Sequence, residues 1–155
     1  MRAIDRWFDE YSASHTHATN VALHELCVPL IVLSILGLIH ALAVPQAILS
    51  VWPGFRWSYP VIALGLIYYA RLSPALALGM APVLIAMVLL LEAVRQSGLP
   101  VAALSLGLFV LAWIGQFLGH GIEGRRPSFF KDLQFLLIGP LWVLGGLYRR
   151  LGLRY

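Results

Sequence analysis

The sequence predicts an all-α integral membrane bundle with four crossings and a fifth apolar segment that is re-entrant or interfacial. Composition supports this class, since 60% of the 155 residues are hydrophobic and only 12% are charged, whereas soluble domains are nearer half apolar and a quarter charged. The net charge of +4 does not indicate nucleic-acid binding, because the basic residues stand singly or in pairs beside apolar runs, as membrane flanks do. We expect one membrane domain, residues 1–155.

The N-terminal segment, residues 1–20, is predicted to be interfacial. It lacks the apolar stretch of a secretory signal. Four apolar or aromatic side chains are spaced i, i+3, i+4 and i+7, which places them on one helix face: Ile4, Trp7, Phe8 and Tyr11. This face either lies on the membrane surface or packs on the protein's own bundle, and the sequence favours neither.

Residues 21–119 contain the four predicted transmembrane helices, because about 20 apolar residues span the hydrocarbon core. Their approximate bounds are 21–44, 57–70, 75–91 and 101–119. Residues 120–155 comprise a charged connection and a C-terminal apolar segment, 133–147. That segment contains Gly139-Pro140 and is only fifteen residues long, so we expect a broken, re-entrant or interfacial piece rather than a clean crossing.

Counting crossings places the start of the first helix and the end of the fourth at the same membrane face. Six basic residues fall on this side: Arg2, Arg6, Arg71, Arg125, Arg126 and Lys131. Two, Arg56 and Arg95, fall on the other. The positive-inside rule then predicts that the first face is cytoplasmic.

Histidines cluster at this predicted face. Three occur within ten residues, His15, His17 and His24, and His120 follows at the end of the fourth crossing. Ionisable groups at membrane depth are usually functional, and imidazole is the commonest metal ligand, so we expect these four histidines to bind a metal. His40 lies about 24 Å beyond His24 along a helix and is expected to be structural.

Three further polar residues share helix faces with the histidines. Asn20 and Gln116 each precede a histidine by four residues, and Glu123 follows His120 by three. Such amides and carboxylates orient metal-bound imidazoles, so all three are candidate catalytic residues. A site of histidine and carboxylate with open positions suggests non-haem Fe(II).

Two spaced motifs carry a resemblance to a known family. The first is Tyr11-x3-His15-x4-Asn20-x3-His24-x4-Pro29, and the second is Trp113-x2-Gln116-Phe117-x-Gly119-His120. Together they resemble the membrane fatty-acid α-dioxygenases, over nearly the whole chain. The family pattern has adjacent histidines where this chain has His15-x-His17, and its acidic residue falls one position later than Glu123.

The resemblance implies a non-haem Fe(II) enzyme that uses O2 to convert a 2-hydroxy long-chain fatty acid into an acid one carbon shorter and CO2. Tyr11, Arg125 and Arg126 are the expected substrate contacts, with an arginine as a bidentate carboxylate clamp. The expected location is the bacterial inner membrane, or the endoplasmic reticulum in a eukaryote, with the site at the cytoplasmic face.

Other classes of protein remain open. A haem protein could use His24 and His120 as axial ligands, and a non-enzymatic membrane scaffold or carrier could place polar residues at an interface. A di-iron lipid desaturase is disfavoured, because its histidine boxes need about eight histidines and the chain has five.

Overall fold

The computed structural model describes residues 2–124 and 129–155, and the side chains of all of these except 129–134. Within those ranges the chain is helical and contains no strand. Seven helices follow one another: α1 Ala3–Ser12, α2 Ala18–His40, α3 Gln46–Leu49, α4 Ser58–Leu72, α5 Pro74–Gln96, α6 Val101–Glu123 and α7 Phe129–Arg150.

Three of the described helices, α2, α5 and α6, are long and apolar enough to cross a membrane. Each has 23 residues and is therefore about 35 Å long, which exceeds the thickness of the hydrocarbon core. The all-α class is thus confirmed, and three helices have the length and composition of membrane spans. Helix α4 has only 15 residues, or about 22 Å, so the fourth predicted crossing stays a prediction.

Helices α2 and α6 form the most extensive contact between helices in the described structure. They run antiparallel, since Asn20 meets Gly119 and Gly37 meets Ser105. Small residues allow this close approach. A side chain at Gly115 would lie only 2.5 Å from the sulfur of Cys27, and one at Gly119 would collide with the amide of Asn20. The antiparallel arrangement places the beginning of α2 beside the end of α6, as the sequence predicted for the two histidine motifs.

Helix α7 is one continuous helix of 22 residues with Pro140 inside it, so the break expected at Gly139-Pro140 is absent. Packing explains the difference, because Ile138 and Leu141 are fully buried and their burial offsets the lost backbone hydrogen bond. The last turn returns to the beginning of α2, where Arg150 pairs with Glu25 at 2.6 Å.

Helix α1 packs on the bundle, which decides between the two alternatives for the N-terminal segment. Its apolar side chains Ile4, Phe8 and Tyr11 are 0–5% exposed. The Phe8 ring lies over Gly145 of α7, and the Tyr11 ring lies over Gly139. The glycines of α7 therefore make room for the aromatic residues of α1, and α1 brings Tyr11 to the histidines.

Candidate metal centre

Three histidines from three different segments meet at one end of the bundle. His15 comes from the turn between α1 and α2, His24 from the second turn of α2, and His120 from the last turn of α6. One ring nitrogen from each lies within 4.8 Å of the others. His15 and His24 are buried, and His120 is half-buried. The three nitrogens are close enough for one metal ion to bind them after small side-chain shifts, since metal–nitrogen distances are about 2.0–2.1 Å.

The orientation of His15 is set by the main chain of Tyr11. Its Nδ1 lies 2.6 Å from the Tyr11 carbonyl oxygen, and a carbonyl can only accept a hydrogen bond. The proton is therefore on Nδ1, and Nε2 keeps its lone pair for a metal. The imidazole also stacks on the Tyr11 ring, with centroids 4.2 Å apart and planes 6° from parallel.

The side chain of the same tyrosine orients His24. The Tyr11 hydroxyl lies 3.1 Å from His24 Nδ1. When that hydroxyl accepts the Nδ1 proton, His24 also presents an unprotonated Nε2. Tyr11 therefore contacts two of the three clustered histidines, once through its carbonyl and once through its hydroxyl.

The donor set fits a metal ion. Within the described part of the chain, Nε2 of His15 and Nε2 of His24 are buried without a hydrogen-bond partner. Buried polar atoms are nearly always satisfied, so two such nitrogens within one histidine group suggest a missing partner. Burial lowers the pKa of His15, and the hydrogen bond to Tyr11 opposes this shift only in part. His15 is therefore neutral at pH 7, as a ligand must be.

Glu123 fastens the turn that carries His15 to the end of α6. Its carboxylate accepts hydrogen bonds from the backbone amides of Thr16 and His17, both at 3.0 Å, and from the Thr16 hydroxyl. It also accepts one from the Asn20 side-chain amide at 3.0 Å. Four donors from the 16–20 segment thus converge on one carboxylate, three residues after His120.

The other predicted site residues are placed as follows. Asn20 is fully buried between this carboxylate and the Ser14 carbonyl, and Gln116 is 4% exposed.

His17 lies outside the three-histidine group: it is exposed, and its Nδ1 accepts from the Thr19 amide at the start of α2. Arg125 and Arg126 lie outside the described residues. His40 is at the far end of α2, between Ser58 and Glu92.

A small cavity of about 50 Å³ opens beside the histidines. Its walls are mostly apolar and come from α1, the following turn, α2, α6 and α7: Tyr11, His15, His24, Val28, Ile31, Trp113, Gln116, Phe117, His120, Phe135 and Leu136. This volume holds an ion and a small polar group but not an acyl chain, since drug-sized ligands need about 300 Å³ or more. Phe117 is 57% exposed, so the cavity adjoins the lipid-facing surface of α6.

Sequence reasoning assigned no site role to Trp113, although it is part of the second motif. Its Nε1 is buried without a hydrogen-bond partner among the described residues, and its ring lines the cavity. The available signal was its spacing. Trp113, Gln116 and His120 follow i, i+3, i+7, so they lie on one face of α6.

Comparisons with known proteins show which family the whole chain resembles. The family model described as "2-hydroxy-palmitic acid dioxygenase Mpo1-like" matches residues 1–151. The chain is also similar to the 2-hydroxy-palmitic acid dioxygenase MPO1 of Saccharomyces cerevisiae, with 30% identity over 144 residues. That match covers 92% of this chain and 78% of the yeast protein. No solved structure gives a significant match.

Proposed function

Because this chain belongs to the Mpo1-like family, we propose that it is an Fe(II)-dependent dioxygenase of 2-hydroxy long-chain fatty acids. The reaction converts the 2-hydroxy acid and O2 into the fatty acid one carbon shorter, CO2 and water. The observation that carries the proposal is the convergence of His15, His24 and His120, with two buried Nε2 atoms lacking protein partners. The name of the yeast relative suggests the substrate class.

His15, His24 and His120 are the proposed iron ligands. Fe(II) held there would supply the redox chemistry with O2 and leave positions for the carboxylate and 2-hydroxyl of the substrate. Tyr11 fixes the metal-binding tautomer of His15 through its carbonyl, and its hydroxyl contacts His24 Nδ1. Glu123 holds the turn that bears His15 against α6. These contacts exist within the protein itself, so the ligands are preorganised.

Substrate recognition divides between the polar rim and the apolar walls of the cavity. The Trp113 indole N–H and the Gln116 amide can donate to the substrate carboxylate or hydroxyl. The acyl chain would leave the cavity past Phe117 and lie along the exposed apolar face of α6, where Ile114 and Leu118 are 50% and 60% exposed. Arg125 or Arg126 remains the proposed clamp for the carboxylate.

We also propose that the metal centre faces the cytoplasm. The basis is the six-to-two distribution of basic residues between the two ends of the bundle. With the native Cys27 replaced by serine, single cysteines at exposed Ala13 and exposed Ser97 report the two ends. A membrane-impermeant maleimide applied to intact cells should label Ser97→Cys and not Ala13→Cys. The reverse pattern would refute the assigned orientation.

The function is tested on protein purified anaerobically and loaded with Fe(II). Wild type should bind iron and remove one carbon from a 2-hydroxy long-chain acid in liposomes, read by mass spectrometry. His24→Ala and His120→Ala should each lose iron and turnover. His40→Ala is the matched control, a buried histidine of the same helix that should keep both. Unchanged iron content in both site variants would remove these histidines from the ligand set.

A further inference from the structure

A second polar cluster occupies the opposite end of the bundle, about 24 Å from the histidines along α2. His40 is 2% exposed and lies between the Ser58 hydroxyl at 3.0 Å and the Glu92 carboxylate at 3.3 Å. Glu92 also pairs with Arg95 at 2.5 Å. The guanidinium of Arg56 lies near the same carboxylate but beyond hydrogen-bond distance, at 4.0 Å.

A pocket of about 390 Å³ opens over this cluster. We call it the arginine pocket. Its lining includes Leu42, Leu49, Arg56, Arg95, Leu99 and Ala102. Its volume lies in the range of ligand-binding clefts, about 300–1,000 Å³. It is thus larger than the cavity beside the histidines, and its charged side chains are two arginines.

Arg56 is the observation that points to a ligand. Its side chain is only 15% exposed, yet among the described residues its guanidinium makes one hydrogen bond, to the Phe55 carbonyl at 2.7 Å. The nearest carboxylate oxygen, on Glu92, is 4.0 Å from Nε. A guanidinium has five N–H donors, and leaving most of them unused in a largely buried position is costly. An anion in the pocket would satisfy them.

The position of the pocket indicates which anion. It lies where α2 and α5 end and α6 begins, so it is at the boundary between the hydrocarbon core and the headgroups. Trp52, Phe55, Trp57 and Tyr59 contact one another beside it, as in an interfacial aromatic belt. The α6 amides at Val101 and Ala102 add positive potential, because the N-cap is Pro100 and the structure shows no side-chain cap there.

We propose that the arginine pocket binds the phosphate group of an anionic phospholipid in the leaflet opposite the metal centre. Arg56 donates to the phosphate oxygens in a bidentate fork, the arrangement that suits guanidinium and phosphate. Arg95 remains paired with Glu92, so two guanidinium groups against one carboxylate leave the cluster with a net positive charge. The apolar wall formed by Leu42, Leu49 and Leu99 accommodates the upper part of the acyl chains. This site is independent of the dioxygenase proposal.

Native mass spectrometry of the full-length protein tests the assignment. Dioleoylphosphatidylglycerol should form a one-to-one adduct that survives detergent removal, with dioleoylphosphatidylcholine as the zwitterionic comparison. Arg56→Gln should weaken the phosphatidylglycerol adduct about tenfold or more, because a charge-assisted contact is lost. Inorganic phosphate at millimolar concentration is the second probe. Binding of inorganic phosphate to the protein without any lipid adduct would overturn the lipid source.

A second pair of variants keeps the test informative if Arg56→Gln misfolds. Ala102→Glu adds a carboxylate to the pocket at an exposed position of the first turn of α6. It removes no side-chain contact, and an acidic residue there suits the helix dipole. Ala103→Glu is the matched control, since it makes the same charge change one residue outside the pocket. Circular dichroism verifies folding. Equal lipid binding by both variants would refute the arginine pocket as the phosphate site.

Discussion

Replacing Tyr11 by phenylalanine removes one hydroxyl and should weaken iron binding without unfolding the bundle. The hydroxyl is the partner of His24 Nδ1 at 3.1 Å. The ring that stacks on His15 and the carbonyl that holds His15 Nδ1 are both retained. The substitution therefore acts on one ligand only, and it changes the orientation and tautomer of His24 rather than the ligand itself.

The expected magnitude follows from two independent considerations. A buried polar atom that loses its partner costs about 1–3 kcal/mol. Loss of a residue that orients a metal ligand typically lowers metal affinity about 10–100-fold, which corresponds to about 1.4–2.7 kcal/mol. The two ranges overlap. We expect Tyr11→Phe to raise the dissociation constant for Fe(II) by about 10–100-fold and to recover turnover when Fe(II) is saturating.

The assay is anaerobic competition between the protein and a chelator of known Fe(II) affinity. Tyr148→Phe is the control, because its hydroxyl also makes a part-buried hydrogen bond, to the Ala75 carbonyl at 3.4 Å, but lies outside the metal centre. An unchanged Fe(II) affinity in Tyr11→Phe would refute the reasoning. An equal loss in Tyr148→Phe would show that the effect comes from general loosening of the bundle.

Three further predictions concern the turn around His15. Glu123→Gln should lower iron affinity and speed amide hydrogen exchange over residues 13–17, because the carboxylate anchors that turn; unchanged exchange would contradict the anchoring role. His17→Ala should keep iron but lose about 1 kcal/mol of folding stability, because the cap of α2 is lost. His17→Asn should restore that stability. Loss of iron in both variants would make His17 a ligand. Burial lowers the pKa of His15, so the unfolded chain takes up its proton first as the pH falls. The iron-free protein should therefore lose thermal stability below about pH 6.5. In the His15→Asn variant the thermal stability should fall less steeply with pH than in the wild type.

The sequence was sufficient to predict that His24 and His120 share a site. Helical spacing placed each histidine on a face with an amide, and an even number of crossings between them put both at one end of the bundle. In the structure, the antiparallel packing of α2 against α6 places both histidines at one end of the bundle. That part was predictable because it depends on helix periodicity and topology, which are properties of the chain's own pattern.

The contacts that hold the histidines could not be predicted from the sequence, because they depend on how separate segments approach one another. Tyr11 was expected to contact substrate, yet its hydroxyl and carbonyl both face histidines. Glu123 was expected to orient His120, yet it binds backbone amides of the turn before α2. Likewise, the glycines of α7 were interpreted as a helix break. Only the packing of α1 shows that they provide space for Phe8 and Tyr11.

The way these contacts are distributed has a consequence for how the centre forms. Each histidine belongs to a different segment. In a flexible bundle, part of the free energy of metal binding would be used to order these segments, and the metal affinity would be lower. Here α1 is fixed on α7 by buried aromatic side chains, and the following turn is fixed on α6 by Glu123. The order of the His15 turn is therefore established by protein contacts alone. Metal binding then has little conformational entropy to overcome, which favours a folded iron-free protein that becomes more stable as Fe(II) is added.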